Sequence, residues 1–256
     1  ISNLINSASS FQEWEALYQK IVKWELQLDA LNDNAIEDVL FMQKQDANTQ
    51  FFKYIKQNYS SWFLNSNQNR PVLSHEIFSK NVIPLISEKP VFFILIDNLR
   101  LDQWLIIKPF IEEYYSVINE STYCSILPTA TQYSRNALFS GLMPSEIQKK
   151  LPQYWIDDNE EGGKNLYESD LISNFLKSKH LDYKTSFNKI TNLTAGKKLI
   201  NHVNDLLQND LNIVIYNFVD ILSHAKTDLK MIKELVNNEK SYRDLTVTWF
   251  KNSPLF

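Results

Sequence analysis

The sequence predicts an α/β protein in two parts, a helical bundle followed by a doubly wound, mostly parallel sheet. Three observations predict it. Up to about residue 88 the apolar residues recur at three- and four-residue spacing, the period of helices buried along one face. From Lys89 the period changes. Val91-Phe92-Phe93-Ile94-Leu95-Ile96 is apolar at every position, and Leu211-Asn212-Ile213-Val214-Ile215-Tyr216-Asn217-Phe218 nearly so, as expected of central strands covered on both faces. Around these runs strand-like and helix-like stretches alternate, the pattern of parallel βαβ units. The division is therefore expected at residue 88: a helical spacer over 1–88 and an α/β domain over 89–256.

In the spacer, Ser10-Phe11-Gln12-Glu13 forms a capping-box pattern. Phe11, Trp14, Leu17, Tyr18, Ile21, Trp24, Leu28 and Leu31 follow on one face. A second box over Asn34 to Glu37 opens a run carrying Ile36, Val39, Leu40, Phe51, Phe52, Ile55, Tyr59, Trp62 and Phe63. As one helix to about Asn65 it would be on the order of 45 Å long. A polar loop over 65–71 precedes a third helix, capped by Ser74 and interrupted by Pro84. In the second part the expected order is strand 91–96, helix 101–118, strand 121–126, a helix after Thr131, helix 169–179, a strand near 183–187, helix 193–208, strand 211–218 and a helical tail over 229–250.

Composition narrows the function classes. With 44% hydrophobic and 22% charged residues the chain is ordinary globular material, and a net charge of −4 gives no global pull toward nucleic acid or an anionic membrane. The doublets Lys149-Lys150 and Lys197-Lys198 read as solvated faces. The one cysteine, Cys124, excludes an intrachain disulfide and agrees with a reducing, cytoplasmic setting. No apolar run approaches the roughly 18 residues of a membrane span, and no signal-peptide pattern is present. The acidic run from Asp157 to Gly163 lacks EF-hand spacing, and Gly162-Gly163-Lys164 lacks the earlier glycine of a P-loop.

Chemistry-bearing residues fall where strands end. Asp97 closes the first strand, at the edge where open α/β sheets bind ligands; a helix-capping role is the plainer alternative. Thr131 stands at a strand-to-helix junction, beside backbone N–H groups that lack helical partners. It suits attack on a phosphoryl or sulfuryl group, or it simply caps the helix. Asp220 and His224 lie four residues apart, a spacing that lets both reach one metal ion. Arg135, one turn beyond Thr131, could contact non-bridging phosphate oxygens or form a surface ion pair. His75, His180 and His202 have no paired ligands and are expected to be non-catalytic.

Pro128-Thr129-Ala130-Thr131, with Gly141 ten residues further on, resembles the nucleophile segment of the diesterase branch of the alkaline phosphatase superfamily. With Ile96-Asp97-Asn98-Leu99-Arg100, Asp102-Gln103-Trp104, Phe139-Ser140-Gly141-Leu142-Met143-Pro144 and Asp220-x-x-x-His224, the chain is similar to the PglZ domain of that superfamily. Within it the likeness is to the PglZ-bearing response regulators of the type IX secretion system, whose helical spacer joins a receiver to the PglZ domain. The resemblance implies an alkaline-phosphatase-like sheet and a zinc-dependent phosphodiesterase or phosphatase. Its nucleophile would be Thr131 and its metal ligands Asp97, Thr131, Asp220 and His224, two zinc ions being expected in a complete domain. Ser134 stands where the diesterase branch has an asparagine that contacts phosphate. The resemblance also implies partners: an upstream receiver, a secretion-system inner-membrane component, a sigma factor, a short or cyclic oligonucleotide substrate and a second copy of the chain. The alternative is a signalling module in which catalysis is incidental or lost.

The family pattern departs at the end. No Asp-His-Gly and no histidine follow His224, so three expected ligands are missing. The chain begins at Ile1 and stops at Phe256 within a helical pattern, and is expected to be truncated at its C-terminal side, with zinc absent or undercoordinated. The strands ending in Asp97 and leading to Asp220 are expected to be neighbours or near-neighbours.

Overall fold

The structure is a computed structural model that describes residues 1–29, 34–64, 70–87, 89–157, 163–228 and 238–253. Outside the described residues lie Leu31, the acidic stretch 158–162, most of the polar loop 65–71, the first part of the expected tail 229–250 and the side chains of the Asn34/Glu37 pair.

Three helices open the chain: α1 (Ser2–Ser7), α2 (Phe11–Asp29) and α3 (Asn34–Asn58), the last continued by a 3-10 segment over Tyr59–Phe63. The first capping box forms, since the Glu13 carboxylate accepts from the backbone N–H groups of Ser9 and Ser10 at 2.8 and 2.9 Å. The apolar stripes meet as expected, with Ile5, Trp14, Leu17, Ile21, Leu28, Leu40 and Ala47 forming one buried cluster. The third expected helix is not a regular one. A 3-10 turn (Ser74–Glu76), a π turn (Phe78–Val82) and a second 3-10 turn (Ile83–Leu85) succeed one another up to the extended Ile86. Ser74 does not cap it; its buried hydroxyl accepts from the Ile126 N–H at 3.1 Å.

The α/β unit follows, with β1 (Val91–Ile96), α4 (Leu101–Glu112), α5 (Thr131–Ser140), α6 (Pro144–Lys150), α7 (Glu168–Ser178), β2 (Thr185–Ile190), α8 (Leu193–Asn201), α9 (Val203–Leu206), β3 (Leu211–Tyr216), α10 (Phe218–Asp228) and α11 (Glu239–Asn252). Among the described residues the sheet has three strands in the order β1-β3-β2, all parallel. Val91 and Thr185 both register with Leu211. The expected neighbourhood of the Asp97 and Asp220 strands is therefore present.

Both faces of β3 are covered, and all six of its residues are buried. Leu211, Ile213 and Ile215 face a core built with Phe78, Leu138, Phe139, Ile172 and Phe175. Val214 and Tyr216 face the opposite way, onto Leu199 and Leu206, with Trp249 against them. Helices thus flank the sheet on both sides, the doubly wound arrangement. Burial of apolar side chains on two faces is the main stabilising term, roughly 1.5–3 kcal/mol for each large one. The buried exception, Asn212, is satisfied: its amide donates to the Leu206 carbonyl at 2.9 Å, and its oxygen accepts from Ser186 at 2.7 Å and Asn209 at 3.0 Å.

Two further expectations are corrected. Residues 121–126 do not join the sheet; their one bridge runs parallel between Cys124 and Leu73. Helix 101–118 ends at Glu112, because Tyr114, Tyr115 and Ile118 meet no core, Ile118 being 97% exposed.

Candidate active site

The segment before Thr131 is held from its N-terminal side. The Cys124 N–H donates to the Val72 carbonyl at 2.9 Å, the Ile126 N–H to Ser74, and the Leu127 N–H to the Tyr59 hydroxyl at 2.7 Å. Ile126 is fully buried beside Trp62, Leu73 and Ala137. The helical spacer and the turn after it therefore fix the entry to α5. Thr131 is the first residue of α5 and Ala130 its N-cap. The capping alternative falls away, because the capping position belongs to a residue with no side-chain acceptor. The Ser134 hydroxyl lies 3.1 and 3.2 Å from the carbonyls of Thr129 and Ala130 and donates back to them, steadying the turn that carries Thr131. The Asn165 amide donates to the Thr131 carbonyl at 3.2 Å and to the Asn136 side chain at 3.1 Å. At the far end Gly141 terminates α5 at φ 66°, a left-handed conformation that glycine adopts without steric cost.

Asp97 follows β1 directly, its N–H donating to the Tyr216 carbonyl of β3 at 2.9 Å. Asn98 then turns the chain at φ 60°, a value asparagine tolerates better than most residues. Asp220 lies in the first turn of α10, just past the end of β3, and His224 one turn on, with Nε2 3.7 Å from Asp220 Oδ1. Asp97 and Asp220 are thus set side by side at the carboxyl edge of adjacent parallel strands. Their proximity is felt electrostatically. Burial, and then the Asp97 charge, push the Asp220 carboxyl above its usual range, against the pull of His224 and Arg135. Tyr123 is raised likewise, by burial and then by Asp97.

Arg135 is not at the surface. It is 6% exposed and bridges two acids: Nη1 donates to Asp97 Oδ2 at 2.7 Å and Nη2 to Glu168 Oε2 at 2.8 Å. Its Nε lies 2.8 Å from Glu168 Oε1 but without hydrogen-bond geometry, and both atoms are buried and otherwise unsatisfied. Glu168, fully buried at the start of α7, also holds Lys189 of β2 at 2.6 Å. Sequence patterns point to neither Glu168 nor Lys189. An acid opening an apolar helix is also what an ordinary helix start looks like, so no signal separates it.

The donor types at this edge suit a divalent cation. Besides two carboxylates, an imidazole and a hydroxyl, the Asn217 side-chain oxygen at the end of β3 is buried with no hydrogen-bond partner. Their number does not close a site: among the described residues no three His, Cys, Asp or Glu side chains converge as a metal-holding group. His75, its imidazole pKa lowered by burial, and His180 and His202 stand apart from this edge in sequence, and none joins such a group.

A parallel sheet with acids at its carboxyl edge and a threonine opening a nearby helix is consistent with an α/β domain of the alkaline phosphatase kind. The chain belongs to the PglZ family, the BREX system PglZ alkaline phosphatase-like domain matching residues 77–251. Residues 1–63 match the PorX response regulator linker domain. No curated protein matches the chain. Membership supports a hydrolase-type enzyme of a superfamily that generally uses metal ions. No helix among the described residues is long and apolar enough to cross a membrane.

Proposed function

We propose that the protein is the effector part of a PorX-like response regulator controlling type IX secretion, and that it acts as a metal-dependent phosphodiesterase on short or cyclic oligonucleotides. The observation carrying this reading is the placement of Asp97 and of the Asp220–His224 pair after adjacent parallel strands, tied to the Thr131 helix by the Arg135–Asp97 ion pair. Thr131 Oγ1 attacks phosphorus in line, an oxygen–phosphorus bond forms as the leaving alkoxide departs, and water then hydrolyses the phosphothreonine. A divalent cation, zinc in the family reading, would supply Lewis acidity at the developing charges. In this chain Asp97, Asp220 and His224 are the ligands proposed for it, with further ligands still required. Ser134 and Asn165 keep Thr131 at the helix start, and Arg135 ties that helix to Asp97 and Glu168.

Hydrolysis of a chromogenic diester by the full-length protein is expected to exceed that of the matching monoester and to need Zn²⁺. Thr131→Ala is expected to lose at least about a hundredfold in kcat, as removal of a covalent nucleophile does. A wild-type rate in that variant would remove the nucleophile assignment.

One observation favours a second reading, a signalling module that docks on a secretion-system inner-membrane component or a sigma factor. Asp97 is already neutralised by Arg135, and no three-residue metal group forms among the described residues. A Thr131→Ala strain separates the two readings. Unchanged secretion with hydrolysis abolished supports the module; loss of both makes catalysis part of the signal.

A further inference from the structure

One ammonium group holds two points of the segment that clasps the Thr131 helix. Lys189 Nζ, from β2, donates to the Asn165 backbone carbonyl at 2.6 Å and lies 2.6 Å from Glu168 Oε2. Each of those residues holds α5 in turn. The Asn165 side-chain amide donates to the Thr131 carbonyl at 3.2 Å, and Glu168 Oε2 accepts from Arg135 Nη2 at 2.8 Å. A further bond closes the seam, from the Asn136 amide to the Lys164 carbonyl at 3.1 Å. Residues 164–168 therefore grip the start of α5, and Lys189 fastens that grip to the sheet.

The two points gripped share a face. Thr131 and Arg135 stand four residues apart, so their side chains lie one above the other along α5. Arg135 reaches Asp97 after β1 at 2.7 Å, which turns this face toward the carboxyl edge of the sheet. The start of α5 is thus tied to both outer strands of the β1-β3-β2 order, to β1 through Asp97 and to β2 through Lys189. A lysine suits the second tie. Its ammonium has three donors, enough for a carbonyl and a carboxylate at once, and its charge helps balance the fully buried Glu168, whose other cation is shared with Asp97.

Resting on the reading of Thr131 as nucleophile, we propose that Lys189 is a positioning residue for it. Acting through Asn165 and Glu168, Lys189 sets where the α5 start stands over the sheet edge, and so the line along which Thr131 Oγ1 meets phosphorus. In-line attack is sensitive to such placement: a shift of about 1 Å caused from a distance can cost about a hundredfold in rate.

The test uses the full-length protein with a chromogenic diester and Zn²⁺, and reads kcat and KM together with hydrogen exchange over residues 127–138. Lys189→Met is expected to lower kcat about tenfold or more with KM within about twofold, the pattern of a lost transition-state geometry. Exchange at the start of α5 is expected to quicken several-fold while that of β3 stays slow. Lys189→Arg keeps a cation with several donors and is expected to recover part of the rate. Lys189→Met combined with Glu168→Gln restores the charge balance without the clasp, and is expected to stay slow. Recovery of the rate in that double variant reduces Lys189 to a counter-ion and overturns the proposal. Unchanged exchange over 127–138 in Lys189→Met overturns it whatever the rate. Faster exchange with unchanged kcat, Thr131→Ala being inactive, overturns the positioning role and leaves the nucleophile in place. No hydrolysis by wild type, or full hydrolysis by Thr131→Ala, removes the nucleophile reading and the positioning role with it. Should Lys189→Met fail to fold, Asn165→Ala decides, since it deletes the amide that holds Thr131 and keeps the carbonyl that Lys189 holds: an unchanged kcat overturns the proposal.

Discussion

Single residues decide the site, and several of them act at one remove. Glu76 is an example. It accepts from Arg70 at 2.6 and 2.7 Å, from the Leu73 N–H at 3.0 Å, and pairs with Lys80 at 2.8 Å. Burial works against its ionisation, yet these donors outweigh burial and hold its carboxyl near 2, against an ordinary 4.5. A depressed folded-state pKa gives stability that is present above pH 4.5 and is lost as pH falls toward 2. Glu76→Gln is therefore expected to cost about 2–3 kcal/mol at pH 7, the gap to wild type narrowing through that acid window in thermal melts. Because Glu76 holds the turn whose Ser74 orders Ile126, the variant is also expected to loosen the approach to Thr131. The positions at the edge itself are legible in the sequence: Asp97 and the Asp220–His224 pair follow apolar runs, and Thr131 opens a helix, where pattern and spacing put them. What is not legible is pairing across the fold. Arg135 reads equally well as a phosphate ligand or a surface ion pair, and its burial between Asp97 and Glu168 depends on helix packing that no local spacing encodes.

At the scale of elements, continuous apolar runs are the reliable signal. They mark β1 and β3 closely, because a strand covered on both faces needs apolar side chains at every position. Shorter alternating stretches mislead. Residues 121–126 carry strand-like alternation but pair only with the chain near Leu73, so propensity is satisfied outside the sheet. The helical period puts the segment after Ser74 in the spacer, yet Phe78 and Val82 lie in the sheet's own core with Phe139 and Ile213. The Phe78 ring is 4.8 Å from that of Phe93 and 5.7 Å from that of Phe139. By packing, then, this segment goes with the α/β unit. Gly141, which ends α5, gives the sharpest test at this scale. A Cβ there would meet the Phe175 ring at 2.6 Å, and φ is already left-handed. Gly141→Ala is expected to destabilise by about 2 kcal/mol or more in urea unfolding, through backbone strain plus a displaced core ring.

The whole molecule is tied together by a buried ionic cluster. Arg243 of α11, 2% exposed, donates to Asp102 of α4 at 2.9 Å and to Asp29 at the end of α2. Arg100 reaches both Asp102 and Glu239 at 2.6 Å. Burial opposes ionisation of Asp102, but the bonds from Arg100 and Arg243 prevail and hold its carboxyl below its usual range. Arg243→Ala leaves two acids short of a partner, and is expected to cost about 3 kcal/mol or more in urea unfolding, the range for breaking a buried pair. It is also expected to speed hydrogen exchange in both α2 and α11, since α2 then loses one of its ties to the α/β unit.

The strand order carries a consequence in time. Among the described residues β1 and β2 each bond only to β3, and β3 is the last of the three to be made. As the ribosome extends the chain from its N-terminus, the first two strands emerge with no edge to join, and their apolar faces wait for a partner still unsynthesised. Only when residues 211–216 appear can all three zip together, bringing Asp97 and the Asp220 turn to the same rim in a single step. The three strands and the rim they carry thus come together only once β3 has been made.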